Sequence, residues 1–252
     1  MHTSPLRELW RRHLMLWLLL GIDAVLIVLY AIYGLSDLLT NPRFGLIEDW
    51  SYGESFNYLK ELSIAGLLVF MAFRRRSYAY LVWATVFAYL LADDATQIHE
   101  RMGEVLAGAL GFVAVNSWRA VDFGELLWFG VSGVAMFSGI FYGYRIGGRA
   151  EREMATTLGL LLLALAFFGV VLDMPFGTSG LVDKVLGAAE DGGEMMVLSV
   201  ILWQVSRRAR GVWSAGDVLS HDAGVDTDRP DARGRVRPAA VAGDLDTGRR
   251  TV

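Results

Sequence analysis

The sequence predicts an all-α membrane bundle of about six transmembrane helices, and three observations carry that reading. Hydrophobic residues make up 54% of the chain and the mean hydropathy is +0.40, a balance found in polytopic membrane proteins rather than soluble domains. The apolar residues fall into runs near the roughly 20 residues that cross a hydrocarbon core. Arginines gather in every second connection between those runs.

The first run, Leu14 to Leu35, follows Arg7, Arg11 and Arg12. It is longer than the apolar core of a signal peptide and no cleavage site follows, so it reads as a retained span. The second, Asn57 to Phe73, ends on Arg74, Arg75 and Arg76, and the third runs from Ser77 to Gln97. The stretch Met102 to Val115 is too short to cross and reads as an interfacial or re-entrant helix. Val121 to Tyr144 is the fourth span, with Gly139, Gly143 and Gly147 as a ridge for close helix packing, and it leads into Arg145, Arg149 and Arg152. Ala155 to Asp173 and Ala188 to Ser206 complete the set, the last closing on Arg207, Arg208 and Arg210. Residues 1–13 form an N-terminal segment and 14–210 the membrane domain. Residues 211–252 form a tail with seven aspartates, six arginines and one aromatic, Trp213, too polar to order itself.

The opposite connections hold only Arg43, Lys60, Arg101, Arg119 and Lys184, so the positive-inside rule puts both termini in the cytoplasm of a bacterial inner membrane. The formal charge of −4 is unevenly spread. Sixteen carboxylates from Asp37 to Glu194 lie at the outer ends, against Glu8, Glu151 and Glu153 in the inner connections. Asp37, Glu48, Asp49 and Glu54 read as ordinary acidic loop residues, and depth separates the others. A helix rises about 1.5 Å per residue, so counting from the arginines puts Asp23 about 16 Å deep, Glu61 and Glu194 both about 20 Å, and Asp93, Asp94, Glu190 and Asp191 about 25 Å. Carboxylates facing lipid are costly, which predicts one outward-facing polar cavity with Glu61 and Glu194 as neighbours across its floor. Asp93, Thr96, Gln97, Glu100 and Glu104 fall on one helical stripe, as do Glu190 and Glu194, and Asn57, Tyr58 and Glu61.

So many acids beside one histidine need neutralising, because like charges oppose one another's ionisation. Three answers stay open: a divalent metal, a protonated or ion-conducting network, or a structural network balanced by Lys60, Arg101, Arg119 and Lys184. The metal reading takes Asp93, Asp94, His99, Glu190 and Glu194 as ligands, a set suited to zinc, manganese or iron. Glu61, Glu100 and Glu125 are then the candidates for a catalytic carboxylate, with Asp122, Asp173 and Asp191 behind the ligands. Such a site would activate water against a lipid-linked amide or ester. The ion-coupled transporter reading uses the same acids with Asp23 extending the path inward, although the inner halves of spans two to six are nearly all apolar.

With no cysteine, thiolate ligands and nucleophiles are excluded. No organic cofactor is implied, the natural partner is membrane lipid, and no basic block suits nucleic acid. Gly192 and Gly193 read as packing positions, or more sharply as a backbone opening.

The segments ADDATQIHERMGE, DFGELLW, VVLDMPF and EDGGEMM resemble those of bacterial multipass membrane proteins that carry an acidic pair followed by His-Glu at a helix end and a later Glu-x-x-x-Glu helix. The resemblance covers roughly residues 57 to 206 and implies the membrane fold without an activity. A more distant likeness is to the ceramidase and adiponectin-receptor superfamily of intramembrane zinc hydrolases, which also gathers acids and histidines at one membrane face. Its late H-x-x-x-H pair is absent here.

Overall fold

The computed structural model describes residues 5–36, 38–45, 50–116, 118–172 and 181–222, and among these described residues are seven α-helices that form a bundle. The elements are α1 (Pro5–Leu35), α2 (Tyr52–Arg75), α3 (Tyr78–Thr96), α4 (Ile98–Leu110), α5 (Ala120–Ile146), α6 (Arg149–Ala166) and α7 (Leu181–Asp222). A short 3-10 turn, Pro42–Phe44, lies between α1 and α2, and a π-helical segment, Phe167–Leu172, extends α6. Among the described residues four segments are long and apolar enough to cross a membrane: His13–Gly34, Tyr52–Arg75, Ala120–Ile146 and Arg149–Gly169. The 19-residue α3 ends on Asp93 and Asp94, and α7 carries Glu190, Asp191 and Glu194. By contact the chain divides into Met1–Trp213 and Ser214–Val252. In the second unit the described residues are the helical end of α7, so the expected tail from Gly211 starts as helix up to Asp222.

Local chemistry sets the helix ends. Ser51 accepts the Glu54 N–H at 3.1 Å and starts α2. Arg76 closes it in the left-handed conformation at φ 49°. Asp122 starts α5 by accepting the Arg119 N–H at 2.7 Å and pairing with the Arg119 guanidinium, a reciprocal cap on an exposed donor set.

The arginine-side half of the bundle is apolar and closely packed. Ile64, Leu68 and Met71 of α2, Trp83 and Phe87 of α3, Leu158 of α6 and Ile201 and Val205 of α7 are all buried. The outward faces of α1 and α5 remain strongly apolar, with Leu18, Val25, Val134 and Phe137 more than half exposed, the pattern of helices whose solvent on that side is lipid. Gly143 of α5 lies against Ala79 of α3, and Gly139 against Val82, so the glycine ridge packs within the chain. Gly103 of α4 and Gly124 of α5 meet backbone to backbone: a β-carbon on Gly124 would stand 2.9 Å from Gly103 Cα and collide with its carbonyl.

Two expectations need correction. Lys60, counted with the cations of the outer connections although it falls within the expected span Asn57 to Phe73, is inside α2 and 1% exposed. The stripe from Asp93 through Glu104 is broken at Gln97, whose φ of 53° ends α3 and turns the chain into α4. Glu100 and Glu104 therefore leave the Asp93 face and are exposed.

Candidate functional site

The polar interior starts at Asp23. Its side chain in α1 is 0% exposed and pairs with Lys60 of α2, Nζ to Oδ1 3.1 Å. Lys60 also donates to the Met195 carbonyl of α7 at 2.8 Å, approaches Ser199 Oγ at 3.4 Å and sits 4.6 Å from the centre of the Phe56 ring. Ser199 donates to Asp23 Oδ2 at 2.6 Å. Three helices thus meet on one buried cation and one buried carboxylate, each with several polar partners, as burial of charge demands.

One residue further along α2, Glu61 is 1% exposed and in side-chain hydrogen-bond contact with Asp94 of α3. Two carboxylates only accept, so this contact is unfavourable while both are ionised. Glu61 Oε2, and Asn57 Oδ1 four residues earlier on the same face, are buried acceptors with no donor among the described residues. The Tyr58 hydroxyl lies between the Glu54 carboxylate and the Asp94 carbonyl, 3.1 Å from the latter. The Trp50 N–H donates to the same Glu54. Polar groups therefore follow one another along α2, from Trp50 and Glu54 to Tyr58, which reaches the main-chain carbonyl of Asp94, then Glu61 beside the Asp94 side chain, and next to it the Lys60–Asp23 pair.

Glu194 of α7 lies within electrostatic range of both Lys60 and Glu61. The shared level expected for Glu61 and Glu194 agrees with this, although the hydrogen bond of Glu61 goes to Asp94. The Glu194 carboxylate rests on the backbone of Gly169, where a side chain would collide with it, and Gly193 lies under the Phe168 ring. Both contacts fall in the π-helical segment, a feature common where helices carry function. The helix runs unbroken through Gly192 and Gly193, so their role is close packing.

Asp93 is buried, and its carboxylate accepts the His99 N–H at 2.8 Å, capping α4 across the break at Gln97. His99 Nδ1 lies 3.4 Å from Asp93 Oδ2, an ion-pair distance that falls short of hydrogen-bond geometry. The ring stacks on Phe129 of α5 with centroids 5.2 Å apart. Glu125 is half-buried against Gly103, and Glu190 and Asp191 are half-buried on α7. Asp122 is occupied as a helix cap. Asp173 lies outside the described residues. The five expected ligands thus fall apart: Asp93 meets His99, Asp94 meets Glu61, Glu194 rests on Gly169, and Glu190 is half-buried elsewhere on α7. Among the described residues no three histidine or carboxylate side chains converge to hold a metal.

Outside the spans, burial alone would depress the His99 imidazole, but the Asp93 carboxylate 3.4 Å from it, with the charges of Glu100 and Glu125, outweighs burial and raises His99 above its ordinary value of 6.5. A raised value in the fold means the stability contributed by the charged ring is complete below about 6.5 and is lost as pH rises through the folded value. Thermal melts of the purified protein should therefore drift downward above about pH 6.5, and His99→Gln should flatten that drift. An identical slope in the variant would show that His99 is not the titrating group.

Lys60, Ser199, Glu54 and Tyr58 belong to the site although none was singled out as a ligand. Lys60 carried a signal, because a lysine between Tyr58 and an apolar run of helix is rare in membranes. Glu54 and Tyr58 are an i, i+4 pair. Ser199 in its apolar surroundings carried none.

Fold and site together define a polytopic helical membrane protein with a buried charge and carboxyl network in one half of its thickness. The chain belongs to the family described as Domain of unknown function (DUF8692), whose match spans residues 19–207. No curated protein and no solved structure matches the chain.

Proposed function

We propose that this is a bacterial inner-membrane protein with six spans and both termini in the cytoplasm, which takes up a proton or small cation at Glu61 and Asp94 from its outer side, as an ion-coupled carrier does. The observation that carries the reading is the pair of buried acceptors, Glu61 Oε2 and Asn57 Oδ1, beside a carboxyl–carboxyl contact. Unsatisfied buried acceptors call for a donor or an ion. The succession of polar groups at Tyr58 and Glu54 gives that ion a route from outside, and the apolar packing of Leu68, Met71, Trp83 and Ile201 closes the inner side. Lys60, tied to Asp23, fixes a positive charge at the floor and limits how far a cation descends.

The test is infrared spectroscopy of detergent-purified protein. A protonated carboxyl band should be present in the wild type and lost in Glu61→Gln and in Asp94→Asn. Its suppression by sodium would make sodium the bound cation. A spectrum without the band under any ionic condition, or one in which it survives both substitutions, ends the reading. The orientation rests on the arginines, so Phe44→Cys should label from outside intact cells and Arg76→Cys should not.

One observation favours the second reading, a divalent-metal hydrolase acting on a lipid-linked amide or ester. The His99 imidazole is already set against the Asp93 carboxylate, the arrangement that supports a metal-bound histidine. That reading requires Asp94 and Glu194 to turn towards His99. Stoichiometric zinc, manganese or iron in the purified protein, lost in His99→Gln, would place it ahead of the proton reading.

A further inference from the structure

At the arginine-rich end of the bundle, opposite the carboxylates, the ends of α2, α3, α6 and α7 enclose a hollow of about 550 Å³. That volume is within the range of small-ligand pockets, about 300–1,000 Å³. Arg75 lines it from the last turn of α2, Arg149 and Glu151 from the first turn of α6, Arg207 and Arg208 from α7, and Tyr80 from the start of α3. Four arginines and one glutamate thus line it, with the Arg207 guanidinium 4.9 Å from the Trp203 ring. Glu151 is turned to its own helix end, where it accepts the Gly148 N–H, and Arg149 is held by Glu153 at 3.1 Å. Arg208 donates to the Ala150 carbonyl at 3.1 Å, which fixes its fork at the α6 N-terminus. Arg75 and Arg207 make no ion pair among the described residues. Two residues before the lining residues Arg75 and Gly148 in sequence, Phe73 and Ile146 are more than half exposed.

We infer that this hollow binds a phosphate ester, and that the headgroup of an anionic phospholipid in the adjoining leaflet is its occupant. Arginine forks match phosphate oxygens in pairs, which makes arginine rather than lysine the residue for such a site. The four arginines stand where the apolar parts of their helices end, at headgroup depth, and the exposed Phe73 and Ile146, two residues from the lining in sequence, leave an apolar surface at those helix ends for acyl chains. Basic pockets between helices at a membrane face bind anionic headgroups for this reason. A soluble phosphate ester shares the recognition chemistry but not the use of the apolar flank.

The test uses the full chain in detergent, titrated with phosphatidylglycerol, phosphatidylcholine and glycerol 3-phosphate and read by native mass spectrometry. Phosphatidylglycerol should bind roughly 10- to 30-fold tighter than phosphatidylcholine. Arg75→Gln with Arg149→Gln should abolish that preference. Arg75→Lys with Arg149→Lys, which keeps the charge and so guards against a folding defect, should retain part of it. Arg74→Gln should leave it intact, since Arg74 stacks on Phe70 and is not among the residues that line the hollow. No preference for the anionic lipid, or a preference unchanged in the double glutamine variant, or an equal loss in Arg74→Gln, would overturn the site. Displacement of the lipid by an equal concentration of glycerol 3-phosphate would overturn the lipid assignment in favour of a soluble ester.

Discussion

Lys60→Met should destabilise the protein by about 3–5 kcal/mol, the usual consequence of leaving a buried charge without its partner. The substitution strands the Asp23 carboxylate, 0% exposed, with Ser199 as its remaining side-chain hydrogen bond. It also leaves Met195 without the Lys60 donor on its carbonyl. Asp23→Leu alone should be damaging for the mirror reason, because Lys60 then keeps only the carbonyl, Ser199 and the Phe56 ring. The double variant Asp23→Leu with Lys60→Met removes both charges and should recover most of the loss, since an apolar pair of similar volume often replaces a buried ion pair at little cost. Thermal unfolding of all four proteins in one detergent gives the coupling directly. Additive losses would mean that the two groups do not stabilise each other, and α1 would then be held to α2 and α7 by packing alone.

Gly124→Ala should cost about 3 kcal/mol, the upper end of overpacking penalties. The new methyl group would meet the carbonyl and Cα of Gly103, and backbone cannot rotate away as a side chain does. The two helices must part, and with them the contact of His99 on Phe129 that joins α4 to α5. The pH dependence attributed to His99 should weaken in the same variant. Gly108→Ala, elsewhere on α4 with nothing within 4 Å of the new methyl, provides the contrast. It should be neutral or stabilise by up to about 1 kcal/mol through helix propensity. Equal melting temperatures for the two variants would refute the close approach of α4 and α5.

The helices were legible because membrane spans are written in composition. Apolar runs and arginine clusters locate them, and the rise per residue brings Asp23, Glu61 and Glu194 to neighbouring depths without knowledge of any contact. Partners were less legible. The ruler gives depth but not azimuth, so it could not say that Glu61 faces Asp94. Lys60 falls inside the span that hydropathy marks, but a count of basic residues by membrane side groups it with the loops, and its burial follows from contacts with Asp23 and Met195 that no such count contains. The break at Gln97 had no signal, since glutamine rarely takes the left-handed conformation that glycine or asparagine supplies at helix ends. The cap formed by Arg119 and Asp122 was readable in principle, as an acid three residues into the helix. Treating Asp122 as part of a metal site overlooked that simpler demand of the backbone.

The partners of Lys60 also impose an order on synthesis. Asp23 precedes it by 37 residues, whereas Met195 follows by 135 and Ser199 by 139. At roughly 5–20 residues per second, the ribosome needs on the order of 10 s after Lys60 is made to reach α7. Throughout that interval Asp23 is the ion-pair partner that the hairpin of α1 and α2 offers the ammonium, with the Glu61 charge next to it on α2. The aspartate therefore serves as an intramolecular escort that lets α2 enter the bilayer, and the last helix inherits a charge pair already assembled.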